Sequence, residues 1–217
     1  MFDTFKVPFP ALSLISQYFT DNINEDEPLS PSELLIIAQA VPKRRATFST
    51  GRSCARQALV RFTDKSPEIL QGKSGEPVWP EGIVGSISHS AKLAGAVAAS
   101  KSEITAIGID IETIGDVKQE MWPLLFLDTE IEMINGKHND AALWATLLFS
   151  LKESFYKLQY PLTGLWLDFK DIAISENNGK FSFVQVKSSH DLSAISFDQI
   201  KVDWTVANDQ IITLCYF

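Results

Sequence analysis

Asp110 and Glu112 stand two residues apart in Gly108-Ile109-Asp110-Ile111-Glu112. Side chains alternate faces along a strand, so the two acids point the same way. Ile109 and Ile111 take the opposite face, continuing Thr105 and Ile107, while Ile104, Ala106 and Gly108 lead up to the acids. Two carboxylates a few Å apart repel by about 4 kcal/mol at an effective dielectric near 20. Either one takes a proton or a cation sits between them. A hard divalent cation, Mg²⁺ above all, prefers oxygen ligands and keeps positions open for phosphate. The pair is also compatible with a strand end opening into water, where most carboxylates lie. A third acid lies in Lys152-Glu153-Ser154-Phe155-Tyr156-Lys157, where Glu153 and Lys157 are four apart on one helix face. They are a plain ion pair, or a third metal ligand with two lysines to neutralise phosphate.

The bases are clustered as well. Arg45, Arg52 and Arg56 fall at i, i+7 and i+11, with Lys43 and Arg44 just before them. They run beside an apolar stripe of Phe48, Ala55, Leu59 and Phe62, which predicts a helix over residues 44–62. No acid shares that basic face, so it reads as a phosphate-binding surface or as a solvated polar face. Lys73 and Trp79 stand out in a Gly/Pro-rich loop over 63–82. Ser88 and His89 close a strand over 83–89; a lone His there also suits a structural role. His138 and His190 lie in polar loop contexts. There is no nucleophile–base motif and no Walker-type glycine loop. Residue chemistry alone leads to Mg²⁺-dependent phosphate chemistry.

Composition sets bounds around that chemistry. The chain has 217 residues, 45% of them apolar, enough for one large domain or two packed halves. Its formal net charge of −8 argues against general nucleic-acid binding, so an anionic ligand needs local bases. Cys54 and Cys215 are far apart and form no CxxC, which predicts buried free thiols in a reducing compartment. Met1–Pro10 lacks the pattern of a signal peptide, and no apolar run reaches membrane-spanning length. The expectation is a cytoplasmic protein without a membrane span.

The elements that must position these residues follow in order. Leu12–Phe19 predicts a short strand. Ser30-Pro31-Ser32-Glu33 predicts a capped helix start, and that helix stops before Pro42. Leu93–Ala99 predicts the strand paired with 83–89. Met121-Trp122-Pro123-Leu124-Leu125-Phe126 is either core or a patch for a protein partner. Trp144, Leu147, Leu148, Leu151, Phe155 and Leu158 predict a long helix over 141–160. Strands are predicted over 166–175, 181–187 and 194–203, with a final hairpin turning near Asn208-Asp209. No internal repeat is visible. Composition supports α+β or α/β.

Gly108–Glu112, followed some forty residues later by Phe149–Lys157, resembles the paired signature of the 4′-phosphopantetheinyl transferases. Pro77-Val78-Trp79-Pro80 leading into Gly85-Ser86-Ile87-Ser88-His89-Ser90 is similar to the enterobactin-synthase component D branch. So is Lys43-Arg44-Arg45 running into Gly51-Arg52. The resemblance spans residues 30–175 in order.

The resemblance implies an α+β fold of two similar halves, 1–102 and 103–217, related by a pseudo-twofold axis with the active site between them. It implies transfer of the 4′-phosphopantetheine arm from coenzyme A to a serine of an apo acyl or peptidyl carrier protein, releasing 3′,5′-ADP. Asp110, Glu112 and Glu153 would hold Mg²⁺. Lys152 would contact the pyrophosphate, and Lys157 would help neutralise the departing 3′,5′-ADP. Ser88 and His89 would contact coenzyme A phosphates. Arg44, Arg45, Arg52 and Lys73 would serve the 3′-phosphate and adenine side. Glu153 would act as base, directly or through a water. The pattern departs at Glu76, where this branch often carries a base; Lys73 carries a charge three positions earlier. The family implies a monomer serving siderophore, nonribosomal peptide, polyketide or related synthases. Two readings compete: a non-catalytic coenzyme A or nucleotide-binding module, and a metal-dependent phosphohydrolase.

Overall fold

The computed structural model describes Phe9, residues 13–187 and residues 189–217. Leu12 and, apart from Phe9, the stretch Met1–Pro10 lie outside the described residues. The strands are β1 (Ile15–Thr20), β2 (Ile83–His89), β3 (Ala94–Ser100), β4 (Ile107–Thr113), β5 (Ile172–Asn177), β6 (Lys180–Gln185), β7 (Lys201–Ala207) and β8 (Gln210–Tyr216). The helices are α1 (Pro31–Ile36), α2 (Pro42–Leu59), α3 (Trp122–Leu125), α4 (Asp128–Asn135) and α5 (Ala141–Thr163). No helix among the described residues is long and apolar enough to cross a membrane.

Two three-stranded antiparallel sheets share one plan. The first is ordered β1-β3-β2 and the second β4-β8-β7. In each, the first strand leads to a long helix and then a hairpin, and pairs with the hairpin's last strand. The repeat that the residues hide is therefore plain in the topology, and the fold is α+β. α2 covers the first sheet and α5 the second. The β5–β6 hairpin is extra to the second half.

Local signals explain the elements. Ser30 caps α1: its hydroxyl accepts from the Glu33 amide at 3.1 Å, and Glu33 accepts from the Ser30 amide at 2.9 Å. The fully buried Glu33 also accepts from Arg56 at 2.9 Å and from the Ile69 amide at 2.9 Å. This corrects the acid-free reading of the basic stripe, because its partner comes from another helix. In β4, Ile107, Ile109 and Ile111 pack into a core shared with Ile15, Phe19 and Val97 of the first sheet. The opposite face meets α5. Gly108 permits that approach, since a Cβ there would stand 1.9 Å from the Ser154 carbonyl oxygen.

Two expectations change, and the alternative left open at 121–126 divides by residue. Residues 164–171 form no strand, although Leu165, Leu167 and Phe169 are half-buried and Trp166 and Asp168 exposed. That is strand-like alternation without a partner strand, so β5 begins only at Ile172. Residues 194–200 form no strand and carry a short 3₁₀ segment at Phe197–Gln199, so β7 starts only at Lys201. Within 121–126, Trp122, Leu125 and Phe126 are core, whereas Leu124 is 77% exposed. Both cysteines are free and buried.

Candidate active site

The two sheets meet where β2 runs beside β4, and no backbone ladder joins them there. Serine hydroxyls take the place of the missing ladder. Ser86 Oγ accepts from the Ile109 amide at 3.1 Å, and Ser88 Oγ from the Ile111 amide at 3.2 Å. Both serines are buried, so each satisfies an amide that would otherwise lack a partner. Being two apart, Ser86 and Ser88 share one face of β2.

Asp110 sits at the centre of this seam. It is 3% exposed, which excludes a strand end open to water. Its Oδ1 accepts from Ser88 Oγ at 3.0 Å and from Lys157 Nζ at 2.7 Å, and Lys157 also reaches Ser88 Oγ at 2.9 Å. β2, β4 and α5 thus each place one side chain in a single three-way contact. Glu112 is half-buried and its carboxyl is pushed up to about 8, first by burial and then by Asp110. Lys157 works against that rise, and Glu153 and Asp116 add to it. Glu153 is raised in the same way, by burial and then by Asp110, with Lys157 opposing. His89 is held below its ordinary value by burial, then by Lys157 and Arg44, against the pull of Asp110. Asp110, Glu112, Glu153, Lys157, Ser88, His89 and Arg44 therefore form one electrostatic neighbourhood.

The donor set suits a hard cation. All three acids offer carboxylate oxygens, burial and then the neighbouring Asp110 raise two of them, and Asp110 Oδ2 is buried without a hydrogen-bond partner. Among the described residues no three metal-ligating side chains are yet gathered into a cage. Lys157 supplies the positive charge at Asp110.

Other predicted residues lie elsewhere. Lys152 is fully buried on the far side of α5. Its ammonium donates to Glu130 Oε2 at 2.8 Å and to the carbonyls of Phe169, Ile172 and Leu125 at 2.5, 3.0 and 3.3 Å. That saturates it and leaves no face for a pyrophosphate, so the structure does not bring Lys152 to the site. Arg45 donates to the carbonyls of Ala40 and Ala38, holding the α1–α2 link. Arg52 is buried, donates to the Ile69 carbonyl at 2.6 Å and lies over the Phe48 ring. Burial lowers its guanidinium to about 10. Of the arginine group, Arg44 alone is near His89 and exposed. Lys73 is exposed in its loop, and Glu76 turns back to accept from the Ser74 amide at 2.9 Å.

A cleft of about 710 Å³ opens from Glu153 and Lys157 between the halves. One wall is the 74–79 loop and Ile83–Ile87 of β2; the other is the end of α5 and the 165–169 loop. Trp79 lies flat on β2 because Gly85 has no side chain: a Cβ there would stand 2.6 Å from the indole. Tyr156, Tyr160 and Trp166 line the other wall. Residue reading singled out Trp79 but passed over these three and the role of Ser86. The two-residue spacing of Ser86 and Ser88 was the available signal; nothing local marks Tyr160 as a cleft residue.

Residues 31–99 match the 4′-phosphopantetheinyl transferase N-terminal domain, and residues 106–215 match the 4′-phosphopantetheinyl transferase superfamily. The 4′-phosphopantetheinyl transferase Svp of Streptomyces mobaraensis is 38% identical over 180 residues, covering 80% of this chain and 72% of its own length. The 4′-phosphopantetheinyl transferase PptT of Mycobacterium tuberculosis is 33% identical over 189 residues, covering 84% and 83%. Enterobactin synthase component D of Escherichia coli K12 is 30% identical over 176 residues, covering 80% and 77%. With both halves matched in order, the chain belongs to the 4′-phosphopantetheinyl transferase family.

Proposed function

We propose that the enzyme moves the 4′-phosphopantetheine arm of coenzyme A onto a serine of an apo carrier protein, with Mg²⁺ held by Asp110, Glu112 and Glu153. The observation that carries this reading is the contact of Ser88 and Lys157 with buried Asp110, at the mouth of a cleft between the halves. Bound Mg²⁺ supplies charge stabilisation to the pyrophosphate oxygens. The chain's own residues do the rest. Lys157 offsets charge that develops on the departing 3′,5′-ADP. His89 contacts the phosphates from β2, where Ser88 holds Asp110 and Lys157 in place, and exposed Arg44 and Lys73 serve the 3′-phosphate. Glu153, whose carboxyl is raised by burial and by Asp110, is a better proton acceptor than an exposed glutamate. The carrier's serine oxygen forms a bond to the β-phosphorus, the bond from that phosphorus to the bridging oxygen breaks, and the serine proton passes to Glu153. The pantetheine arm lies in the cleft.

The carrier supplies the nucleophile, which accounts for the absence of a nucleophile motif here. Leu124 and Met121 stand exposed beside buried Trp122, and this apolar edge is the docking point for the carrier. Kinship with enterobactin synthase component D supports service to siderophore or other peptide and polyketide synthases. The test is intact-mass spectrometry of apo carriers incubated with the protein, coenzyme A and Mg²⁺, with and without EDTA. One phosphopantetheine per carrier, lost with EDTA, is expected. Coenzyme A binding without transfer to any carrier would sink the reading.

A further inference from the structure

Leu147, Leu151, Phe155 and Leu158 of α5 are fully buried core. Apolar contacts are non-directional, so by themselves they do not fix how far along the sheet the helix sits. A second stripe supplies direction. Ser150, Glu153, Ser154 and Lys157 stand at i, i+3, i+4 and i+7 and share a face. Glu153 and Lys157 belong to the candidate site. Ser150 and Ser154 are wholly buried, and no step of the proposed reaction uses them.

Their partner is Thr213 of β8, also wholly buried. Thr213 Oγ1 donates to the Ser150 carbonyl oxygen at 2.9 Å, and it lies 2.8 Å from Ser150 Oγ and 3.2 Å from Ser154 Oγ. One turn before Ser150, Thr146 Oγ1 accepts from the Gly115 amide at 3.1 Å, tying α5 to the chain just beyond β4. Directional bonds thus peg the helix to the sheet where its apolar face does not. Thr213 is also the ladder partner of Asp110. Cross-strand partners share a face, so Thr213 meets α5 beside Asp110. It is joined to Asp110 by the ladder, and through Ser150 to the helix that carries Glu153 and Lys157. A helix advances about 1.5 Å per residue, so a slip of one residue would carry Lys157 that far from Asp110, which it now meets at 2.7 Å.

We infer that Thr213 is a positioning residue: with Ser150 it fixes α5 at the register in which Glu153 and Lys157 meet Asp110. The inference rests on the proposed roles of those three residues. Thr213 touches no reacting atom, and its effect on the reaction passes through the placement of the helix. Misplacement of reacting groups by about 1 Å can cost about a hundredfold in rate. Arg44, Lys73 and His89 belong to the first half and are not carried by α5, so coenzyme A binding is much less exposed to such a shift.

The test compares the unaltered protein with Thr213→Val, Thr213→Ser and Ile212→Val. Ile212 is the neighbouring buried residue on the opposite face of β8, in the core between the sheets. Calorimetry gives coenzyme A affinity and the number of binding sites, thermal melts give stability, and carrier modification gives kcat per coenzyme A-binding site. Thr213→Val keeps the shape and loses the hydroxyl. Its kcat per site is expected to fall at least about tenfold while coenzyme A affinity stays within about threefold. Thr213→Ser keeps the hydroxyl and loses a buried methyl, and Ile212→Val also loses a methyl group; both should melt lower yet turn over within about threefold of the unaltered protein. The rate then follows the hydroxyl and not the melting midpoint. Ser150→Ala introduces the best helix former and removes one partner of Thr213, so it gives the same reading if Thr213→Val does not fold. Thr213→Val with an unaltered kcat per site, or Thr213→Ser as slow as Thr213→Val, would overturn the positioning role and leave the proposed function standing. An unaltered protein that binds coenzyme A but modifies no carrier would take both down.

Discussion

Lys152→Met separates a structural lysine from a ligand lysine. In the fold, the Lys152 ammonium donates to Glu130 and to three backbone carbonyls, all within the core. Removing it leaves Glu130, itself fully buried, with only the amides of Leu127 and Ile174 as donors, each at 2.8 Å. Breaking one side of a buried ion pair costs about 3–5 kcal/mol, because the remaining charge stays desolvated. For a chain of this size each kcal/mol moves the melting midpoint about 2–4 °C, so a fall of about 6–20 °C is expected. Urea unfolding gives the energy, and calorimetry below the transition gives coenzyme A affinity. The affinity of the folded variant should stay within about threefold. Adding Glu130→Leu should recover at least about 2 kcal/mol, since the orphaned charge goes with it. A variant whose midpoint moves under about 2 °C while its coenzyme A dissociation constant rises tenfold would refute the reasoning and return Lys152 to the pyrophosphate.

Four further outcomes follow from the same geometry. Gly108→Ala must push the α5 backbone off β4, costing about 1–3 kcal/mol and lowering transfer more than coenzyme A binding, because Glu153 and Lys157 move with the helix; urea melts and single-turnover transfer measure the two effects. Asp110→Ala should abolish carrier modification by intact mass while circular dichroism stays native. Leu124→Glu should raise the Michaelis constant for carrier and leave coenzyme A affinity unchanged in calorimetry. Burial alone would raise Asp171, but Lys187, the Asp168 amide and His190 outweigh it and hold this carboxylate below its ordinary range. Its stabilising effect is therefore present above the unfolded-state value and lost as pH falls through the lower folded value. Asp171→Asn should flatten the acid limb of stability against pH in urea melts, and an unchanged limb would count against that cause.

The parts of the fold that local chemistry dictates were legible in the residues. The Ser30–Glu33 capping box, the alternation that put Asp110 and Glu112 on one face, and the apolar stripe of α5 each carry their own signal. What was not legible depends on a partner from elsewhere in the chain. Arg56 looked unpaired because Glu33 comes from another helix. Lys152 stands beside Glu153 in a motif, yet adjacent helical residues point about 100° apart, so the neighbour of a site residue faces the core. The stretch over 164–171 alternates like a strand because it lies along a core edge, and only the absence of a pairing strand decides against it. The duplicated plan is hidden in the residues for the same reason: strand order records long-range pairing, which short motifs do not encode.

That duplication explains why acids, hydroxyls and bases gather at one seam. The two halves share a strand order, but their equivalent positions are filled differently. β4 brings Asp110 and Glu112, while its counterpart β1 reads Ile15-Ser16-Gln17-Tyr18-Phe19-Thr20, without an acid. β2 brings Ser86 and Ser88, while its counterpart β7 offers no such pair of serines. α5 brings Glu153 and Lys157, and α2 brings arginines. Acids from the second half therefore meet hydroxyls and bases from the first at the β2–β4 junction. The same contacts hold the halves together, since the serines satisfy β4 amides that no strand reaches. The candidate site and the junction of the two sheets are one set of bonds. Any change that loosens the junction must also disturb Asp110.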